Sequence, residues 1–492
     1  MIMGGGVRLA PEAHLLICLG RDIWVPRIRS KMLLYLKGVA AVAAMSATLF
    51  LAMGIPTEAQ RTNGAGIQVQ GSRQPDAPPV AGQPLETREP IGVGQKPAFP
   101  GQTRAVAVIT KTPYQEKLVT QGLNQPWGLA FLPDGKILVT EKPGTMRVID
   151  MQTGKIERNV MGVPQVRYGG DAGLLDVVLD PEFASNRMVY FTYVEPRGTG
   201  SGSFAGDSGI NVAKAKLSPN DGDLQDVTTI LRVEPSLPQP AHYGSRLLFD
   251  KDGYLFVSLG ERFFYPARGE AQSRYSLLGK ILRITKDGKS APGNPFDRDQ
   301  NLEDHPRAEI WSYGHRNPQG LAFNPLTGDL WESEHGPQGG DELNLIQPGK
   351  NYGWPVIAYG ANYDGTRIDG SLSVMDGRDL GGDEKKQLNG GSLTAMKGLE
   401  QPLYYWDPTI APSGMTFYDG KLIPEWKDNL FVAALAGQHV ARLVLDGNKV
   451  VGEERLLLNQ HQRIRDVKEG PDGALWVVTD DAEGRLIRIA PK

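Results

Sequence analysis

The chain has one cysteine in 492 residues and almost no excess of charge of either sign. That cysteine, Cys18, lies in an N-terminal part that we expect to be removed, so neither disulfide bonds nor thiol chemistry explains the stability or function of the mature protein. The 53 basic and 56 acidic side chains leave a net charge of −3, with no basic arm or aromatic-basic stripe. This balance argues against a nucleic acid partner.

Long apolar runs are scarce as well. The run of near-spanning length covers residues 38–55, follows the basic residues Lys31 and Lys37, and precedes small residues suited to cleavage. This order is typical of an export signal, which we place in residues 1–59 with its apolar region at 38–55. The expected location is therefore the periplasm or the cell exterior, with no membrane span in the mature form. An uncleaved N-terminal anchor is the alternative, because the run is close to the minimum spanning length.

The next segment, residues 60–104, contains few large apolar side chains and much Pro, Gly and Gln. Such a segment cannot bury enough surface to offset the entropy lost on ordering, so we predict a flexible linker. The folded domain is expected to span residues 105–492.

The folded part repeats one pattern six times: a short apolar strand, a turn with Asp or Gly, and a second apolar strand. The turn reads Pro133-Asp134-Gly135 in the first copy, Asp252-Gly253 in the third and Asp472-Gly473 in the last. Asp-Gly between apolar runs is a strong hairpin signal. Six hairpins with further strands between them predict an all-β fold, a six-bladed β-propeller of four-stranded antiparallel blades. A β-helix is less favoured because its short repeat is absent.

Polar side chains precede the first strand of three repeats. They are a histidine, three arginines and two amides: His242, Arg316, Asn317, Gln319, Arg463 and Arg465. Because loops carry the ligand site of a propeller, we expect these side chains to converge at one mouth of its channel. Guanidinium groups bind carboxylates and histidine takes a proton near neutral pH, which suits a pocket for a polyanionic ligand. Taken singly, His242 fits a structural histidine as well as it fits a catalytic one. Each arginine, taken singly, is more typical of a surface or strand-pairing residue.

A second polar segment, Glu334-His335-Gly336-Pro337 followed by Asp341-Glu342, offers carboxylates and backbone carbonyl groups. Hard oxygen ligands of this kind suit calcium, although the spacing is not that of an EF-hand loop. A turn held by carboxylates is the alternative. His315 and His335 would suit a transition metal, but no HExxH or cysteine-based pattern supports zinc.

These residues resemble the motifs of the soluble pyrroloquinoline quinone (PQQ)-dependent glucose and aldose sugar dehydrogenases, also called the glucose/sorbosone dehydrogenase family. The resemblance extends from Gln125 to Ile489. Its most specific blocks are Trp311–Gly320, Ser333–Pro337 with Asp341-Glu342, Gly349–Pro355, Pro408–Ser413 and Arg463–Asp466. The family fold is a six-bladed β-propeller, in agreement with the repeat count.

The resemblance implies an exported enzyme that oxidises the C1 hydroxyl of an aldose to a lactone. PQQ would accept the hydride and pass the electrons on to an acceptor that the sequence does not identify. The resemblance assigns His242 as the general base and Arg316 as the group that stabilises charge on the quinone. The residues implied to bind the cofactor are Arg316, Asn317, Gln319, Thr409, Arg463 and Arg465.

Calcium sites are implied as well. The carbonyl groups of Gly336 and Pro337 would hold a calcium ion that polarises PQQ, and those of Glu342 and Tyr352 a second, structural ion.

The sequence departs from the family pattern at three positions. On the substrate side, Asp171 replaces a usual Gln and Glu261 replaces an Asp, and in the cofactor site Ala436 replaces a Lys. These changes keep open a catalytically silent propeller that binds carbohydrate or a protein partner. A lactonase-type calcium propeller is less favoured, because the arginine-rich set suits a polyanionic quinone.

Overall fold

The computed structural model describes residues 78–92, 94–198, 206–263, 265–297, 306–368, 374–375, 378–379 and 393–492. The predicted export signal at 1–59 lies outside these residues and stays a prediction. Within the described ranges, no helix combines the length and apolar character needed to cross a bilayer. The helical elements described are one short α-helix, Phe183–Asn186, and the 3-10 segments Tyr265–Ala271, Pro424–Trp426 and Leu458–Gln460.

Six four-stranded antiparallel sheets, the blades, follow one another along the chain. Blade 1 contains β2 (Pro126–Leu132), β3 (Lys136–Glu141), β4 (Thr145–Asp150) and β5 (Ile156–Asn159). Blade 2 contains β6 (Leu174–Leu179), β7 (Met188–Pro196), β8 (Ser208–Leu217) and β9 (Leu224–Arg232). Blade 3 contains β10 (Gly244–Phe249), β11 (Leu255–Leu259), β12 (Lys280–Ile284) and β13 (Ile310–Tyr313).

The remaining blades lie in the C-terminal half. Blade 4 contains β14 (Pro318–Phe323), β15 (Leu330–Glu334), β16 (Asp341–Ile346) and β19 (Tyr404–Trp406), and a separate pair, β17 (Val374–Met375) and β18 (Arg378–Asp379), lies in sequence before β19. Blade 5 contains β20 (Pro412–Phe417), β21 (Leu430–Ala434), β22 (His439–Asp446) and β23 (Lys449–Leu456). Blade 6 contains β24 (Ile464–Glu469), β25 (Leu475–Thr479), β26 (Gly484–Pro491) and the N-terminal strand β1 (Tyr114–Leu123).

The first strands of the blades form a closed ring. Each of β2, β6, β10, β14, β20 and β24 contacts the first strand of the preceding and the following blade, including β24 against β2. Closure uses both ends of the domain, because β1 pairs antiparallel with β26 as the outermost strand of blade 6. The prediction of an all-β, six-bladed propeller of four-stranded antiparallel blades is confirmed.

The hydrophobic core is divided among the blade interfaces. Six clusters of buried apolar side chains lie one at each interface between adjacent blades. In the cluster between blades 4 and 5, for example, the rings of Trp331 and Phe417 meet edge-on at 5.7 Å. Because neighbours cover both faces of a blade, strands such as β25 are almost continuously apolar. The ring must therefore close for every blade to be covered on both faces, because only closure brings blade 6 against blade 1.

The hairpin turns have the geometry that their sequences predict. Gly135, Gly253 and Gly473 have φ angles of 80°, 80° and 75°. This left-handed backbone is accessible to glycine without strain. The turns are therefore encoded locally, one hairpin at a time.

The linker prediction is wrong for the described residues between 78 and 104, which we call the N-terminal strap. The Asp407 carboxylate accepts the backbone N–H groups of Ile91 and Gly92 at 2.8 and 2.9 Å. Gln102 is fully buried, and Glu86 lies 3.1 Å from the guanidinium of Arg455. The strap is held by hydrogen bonds and ion pairs with blades 4 and 5, which a count of apolar residues does not detect.

Candidate active site

The predicted polar residues lie where the innermost strands of blades 3, 4 and 6 begin. His242 comes two residues before β10, Asn317 comes directly before β14, and Arg463 and Arg465 flank the first residue of β24. Hydrogen bonds and ion pairs connect them with two substrate-side residues and one further carboxylate. This mouth network comprises Asp171, His242, Glu261, Arg316, Asn317, Gln319, Arg463, Arg465 and Asp480.

His242 and Glu261 form a buried pair at its centre. His242 Nδ1 lies 2.7 Å from Glu261 Oε2, and the two residues are 7% and 0% exposed. Burial lowers the pKa of His242 more than the Glu261 carboxylate raises it. Burial raises the pKa of Glu261, but its interaction with the His242 ring, the charge of Arg316 and the hydrogen bond from the Phe263 N–H together outweigh burial and lower the pKa overall. An ionised Glu261 therefore accepts Nδ1–H, and the lone pair of Nε2 is left to take a proton.

The main chain around His242 is tied to Asp171, one of the two residues predicted to bind the substrate. The His242 N–H donates to Asp171 Oδ2 at 3.0 Å, and the residue has a left-handed φ of 52°. Asp171 itself is exposed. Its carboxylate is therefore both a support for the histidine backbone and a polar group facing solvent at the mouth.

Arg316 is held rigidly by the end of β15. Its backbone N–H and that of Asn317 donate to Glu334 Oε2. Its Nη1 donates to the His335 carbonyl at 3.0 Å, and its guanidinium lies 5.2 Å from the centre of the Trp354 ring. A buried guanidinium fixed in this way is a preorganised positive charge, which is the arrangement that stabilises an anion forming nearby.

The amides of the network link blade 4 to blades 3 and 6. Asn317 Oδ1 accepts the N–H of Gly244 and the side chain of Gln319, both at 3.1 Å. Gln319 Oε1 in turn accepts Nη1 of Arg465 at 3.1 Å. The two amides thus fix the geometry across the channel.

Asp480 pairs with both arginines of blade 6. Its Oδ2 lies 2.8 Å from Arg465 Nη2 and 3.6 Å from Arg463 Nε. Burial raises the pKa of Asp480, but the cations Arg465, Lys142 and Arg463 outweigh it and hold the pKa well below the usual range. Arg465 is buried, whereas the Arg463 side chain is 47% exposed and faces the open side of the mouth.

The loop after β15 contains the predicted calcium ligands Gly336 and Pro337. Asp341 folds this loop back, since its Oδ1 accepts the Gly336 N–H and its Oδ2 accepts the N–H groups of Ile410 and Ala411. Among the described residues, no group donates to either carbonyl oxygen of Gly336 or Pro337. Both oxygens thus remain available to a hard cation.

Thr409 joins the same loop from the blade 5 side. Its hydroxyl accepts the Gly339 N–H at 2.7 Å. The structure therefore brings Thr409 against the loop that contains the predicted calcium ligands Gly336 and Pro337. Asp341 ties the same loop to Ile410 and Ala411, the two residues that follow Thr409.

A second group of carboxylates lies between blades 3 and 4. The acidic and ring atoms of His315, Glu332 and Glu334 lie within 4.8 Å of one another, and Asn344 donates to Glu332, Glu334 and Glu342 at 3.0 to 3.3 Å. Burial and the nearby Glu334 charge raise the pKa of both Glu332 and Glu342. A cation held here would remove the cost of burying these like charges.

The two residues implied for a structural calcium both border this cluster. The resemblance implies their backbone carbonyl groups as ligands, and that role stays a prediction. The contacts that reach the cluster are those of the Glu342 carboxylate, which accepts from Asn344, and of the Tyr352 ring, which stacks on His315 at 4.7 Å. Glu332 Oε1 and Asn344 Oδ1 are buried and have no hydrogen-bond partner in the described ranges. The donor set of carboxylate and amide oxygens fits a hard divalent cation.

Unsatisfied polar atoms also surround the His242–Glu261 pair. Five buried atoms, one on Glu261 itself and four on nearby residues, have no hydrogen-bond partner within the described part of the chain: Glu261 Oε1, Arg316 Nε, Arg465 Nε, His335 Nε2 and Asp480 Oδ1. Buried polar groups normally find partners, because an unpaired one costs about 1–3 kcal/mol. Their grouping at one mouth indicates a polar ligand with both donors and acceptors.

Three further residues contribute to the candidate site and were not predicted from the sequence. Lys142 and Asp480 each follow the strand of a blade, in β3 and β25, and Glu332 lies within β15. A polar residue at the end of an apolar strand was the available signal for the first two, but it does not identify their partners. Ala436 lies in the 435–438 turn of blade 5, where its N–H donates to the Ile410 carbonyl, and that turn carries no charged side chain.

Several known proteins are similar to this chain in sequence and in fold. The model of the Glucose / Sorbosone dehydrogenase family matches residues 123–488. The chain is 42% identical over 372 residues to aldose sugar dehydrogenase YliI of Escherichia coli, covering 75% of this chain and 91% of the relative. It is 27% identical over 426 residues to quinoprotein glucose dehydrogenase B of Acinetobacter calcoaceticus, covering 75% of this chain and 86% of the relative.

The fold is also similar to that of solved structures. The PQQ-bound structure of an aldose sugar dehydrogenase from Streptomyces coelicolor superposes with a TM-score of 0.58 at 29% identity, covering 78% of this chain and all of that one. The chain belongs to the glucose/sorbosone dehydrogenase family.

Proposed function

We propose that this protein is an exported, PQQ- and calcium-dependent aldose sugar dehydrogenase that oxidises the C1 hydroxyl of an aldose to a lactone. The observation that carries the proposal is the group of five unpartnered buried polar atoms around the His242–Glu261 pair. Family membership and the names of the relatives support the same chemistry.

His242 is the proposed general base. Oxidation at C1 removes the proton of the hydroxyl and a hydride from the carbon, and Nε2 is the atom placed to take the proton. Glu261 holds Nδ1–H, so it selects the tautomer and stabilises the imidazolium that forms. Because the pKa of His242 is lowered, the ring is already neutral when the sugar arrives.

PQQ, when bound, supplies the hydride acceptor. The residues that would hold it are those of the mouth network: Arg463 and Arg465 would pair with its carboxylates, and Asn317 and Gln319 would fix its position. Arg316 provides the buried positive charge beside the region where negative charge develops. Thr409 supports the loop that borders this pocket.

Calcium is proposed at two places. The carbonyl oxygens of Gly336 and Pro337 would hold an ion next to the cofactor, where it acts as a Lewis acid. The cluster of Glu332, Glu334 and Glu342 would hold a structural ion. On the substrate side, Asp171 and Glu261 are the acceptors that would bind sugar hydroxyls.

The test is a titration of purified apo-protein with PQQ in the presence of calcium, followed by dye reduction with a panel of aldoses. We expect saturable binding of PQQ and sugar-dependent reduction. His242→Ala should lose about 10²–10⁴-fold in turnover while it still binds PQQ. PQQ binding without dye reduction by any sugar would contradict the enzymatic proposal and favour a silent carbohydrate-binding propeller.

Export needs its own measurement. The N-terminal sequence of the protein recovered from a periplasmic fraction should begin after the apolar region at 38–55. A full-length chain in the membrane fraction would instead support the uncleaved anchor.

A further inference from the structure

Lys142 lies at the mouth of the channel, directly after β3 of blade 1. The residue is only 5% exposed, and its Nζ donates to the Gly170 carbonyl at 2.9 Å. Its main chain is fixed on both sides, because its N–H donates to Gln125 and its carbonyl accepts the Leu174 N–H. In the described part of the chain, no carboxylate oxygen lies within 4.0 Å of this ammonium.

A buried ammonium with one hydrogen bond is unusual. The group has three N–H donors, and the Gly170 carbonyl takes one of them. Burial lowers the pKa of Lys142, whereas the nearby Asp480 raises it. A charge that is costly to bury and incompletely bonded is well suited to meet a ligand that brings its own negative charge.

Without Lys142, the ionised side chains of the mouth network balance in charge. They are three arginines and three carboxylates: Arg316, Arg463, Arg465, Asp171, Glu261 and Asp480. Asp480, Arg465, Asp171 and Arg463 are among the charges that act most strongly on Lys142. The Lys142 ammonium therefore adds one positive charge to a balanced set, on the side that a polyanion would meet.

The blade 5 side of the mouth does not supply this charge. The 435–438 turn there contains Ala436 and no charged side chain. Asp480 already engages both arginines of blade 6. On the blade 1 side, by contrast, Lys142 is a mouth cation that no carboxylate oxygen of the described residues approaches within 4.0 Å.

We propose that Lys142 is a further cation of the cofactor subsite, beside Arg316, Arg463 and Arg465, and that its free N–H groups would donate to a carboxylate of PQQ. This inference rests on the proposed function. A competing role is purely structural: Lys142 would only hold the 169–173 loop, which carries Asp171 against the His242 backbone. The two roles differ in whether the charge of the ligand matters.

The experiment measures the Kd of apo-protein for PQQ and for PQQ trimethyl ester, in calcium-containing buffer, by quenching of tryptophan fluorescence. Lys142→Met should weaken PQQ binding by about 10- to 100-fold, the range of a charge-assisted hydrogen bond. Lys142→Arg should restore most of the affinity. For the ester, which lacks the carboxylate charges, Lys142→Met and the unmodified protein should bind almost equally.

Lys117→Met is the matched control, since it removes an exposed lysine on β1, on the outer edge of blade 6. It should leave both Kd values unchanged. If Lys142→Met fails to fold, Lys142→Gln serves in its place, because it keeps a donor for Gly170 without the charge.

The outcomes separate this proposal from the one it rests on. Failure of the unmodified protein to bind PQQ overturns both. PQQ binding by the unmodified protein with equal affinity in Lys142→Met overturns the role of Lys142 alone. An equal loss for PQQ and for the ester, with a lower melting temperature, identifies the structural role instead.

Discussion

At the scale of single residues, the chemistry depends on how Glu261 sets the protonation of His242. Burial lowers the pKa of His242, and the Glu261 carboxylate raises it. In Glu261→Gln the opposing carboxylate is lost, so the pKa of the histidine should fall further. A general base works when it is unprotonated, and the acid limb of the pH profile of kcat/KM should therefore move to lower pH.

The same substitution should lower the maximal rate by about 10²-fold, because the imidazolium loses its counter-charge. The measurement is the pH dependence of kcat/KM for dye reduction at saturating PQQ. An acid limb that moves to higher pH would show that the Glu261 charge does not act on His242 in this way.

Several residues of the site were predictable because they occur in contiguous motifs. Arg316, Asn317 and Gln319 lie within three positions of one another, and the structure joins them through Glu334 and Gly244. The missed residues lack such a context. Asp480 reaches the two arginines through the β24–β25 pairing of its own blade, and no motif marks it. Lys142 belongs to blade 1, so only the closing of the ring brings it near them.

At the scale of elements, the N-terminal strap illustrates an error with a physical cause. Its composition indicated too little apolar surface to order the chain, and that count was correct. Order comes instead from backbone N–H groups bound by Asp407 and from the Gln95 side chain, which bonds to the N–H and the carbonyl of Gly360. These partners lie more than 250 positions away.

The strap makes a testable contribution to stability through Glu86. Burial raises the pKa of this carboxyl, but the hydrogen bond with Arg88 and the charge of Arg455 outweigh it and hold the pKa at about 2. A depressed pKa stabilises the fold above the ordinary value of 4.5, and that contribution is lost as the pH falls toward 2.

We expect Glu86→Gln to lower the free energy of unfolding by about 2 kcal/mol at pH 7. The difference from the unmodified protein should shrink between pH 4.5 and pH 2. Urea unfolding at several pH values checks both statements, and a difference that does not vary with pH would mean that the Glu86 charge is not the cause.

At the scale of the whole molecule, the blade count was predictable and the closure was not. Asp-Gly hairpins report on pairs of strands that are adjacent in sequence, so the repeats alone predict the blades. Pairing of β1 with β26 joins segments more than 360 residues apart, and no local pattern specifies it. The pairing of β16 with β19 within blade 4 is equally unpredictable from hairpin motifs, because a long segment of the chain separates the two strands.

Closure is also reinforced inside the channel by Arg246 of β10. Its Nη1 lies 3.1 Å from Asp176 of blade 2 and 3.2 Å from Asp466 of blade 6, and its guanidinium lies 4.4 Å from the centre of the Trp127 ring of blade 1. Asp176 and Asp466 are both 0% exposed. Its Nε also donates to the Gln319 carbonyl of blade 4 at 2.9 Å, so one side chain links five blades across the channel.

Arg246→Met should leave two buried carboxylates without their cation, and the expected loss in the free energy of unfolding is about 3–5 kcal/mol at pH 7. Burial already raises the pKa of Asp466, and Arg246 is the strongest influence that lowers it, so the variant should raise it further. A raised carboxyl pKa favours the fold at low pH and disfavours it as the pH rises, so the loss should be larger at pH 8 than at pH 5.

A rescue variant and a control test the cause of this loss. Adding Asp176→Asn and Asp466→Asn to Arg246→Met should recover much of the stability. Arg158→Met, which removes an exposed arginine, should change the free energy of unfolding by about 0.5 kcal/mol or less. Urea unfolding of the four proteins decides the matter: if the triple variant is no more stable than Arg246→Met, the cost comes from lost packing on Trp127 rather than from unpaired charge.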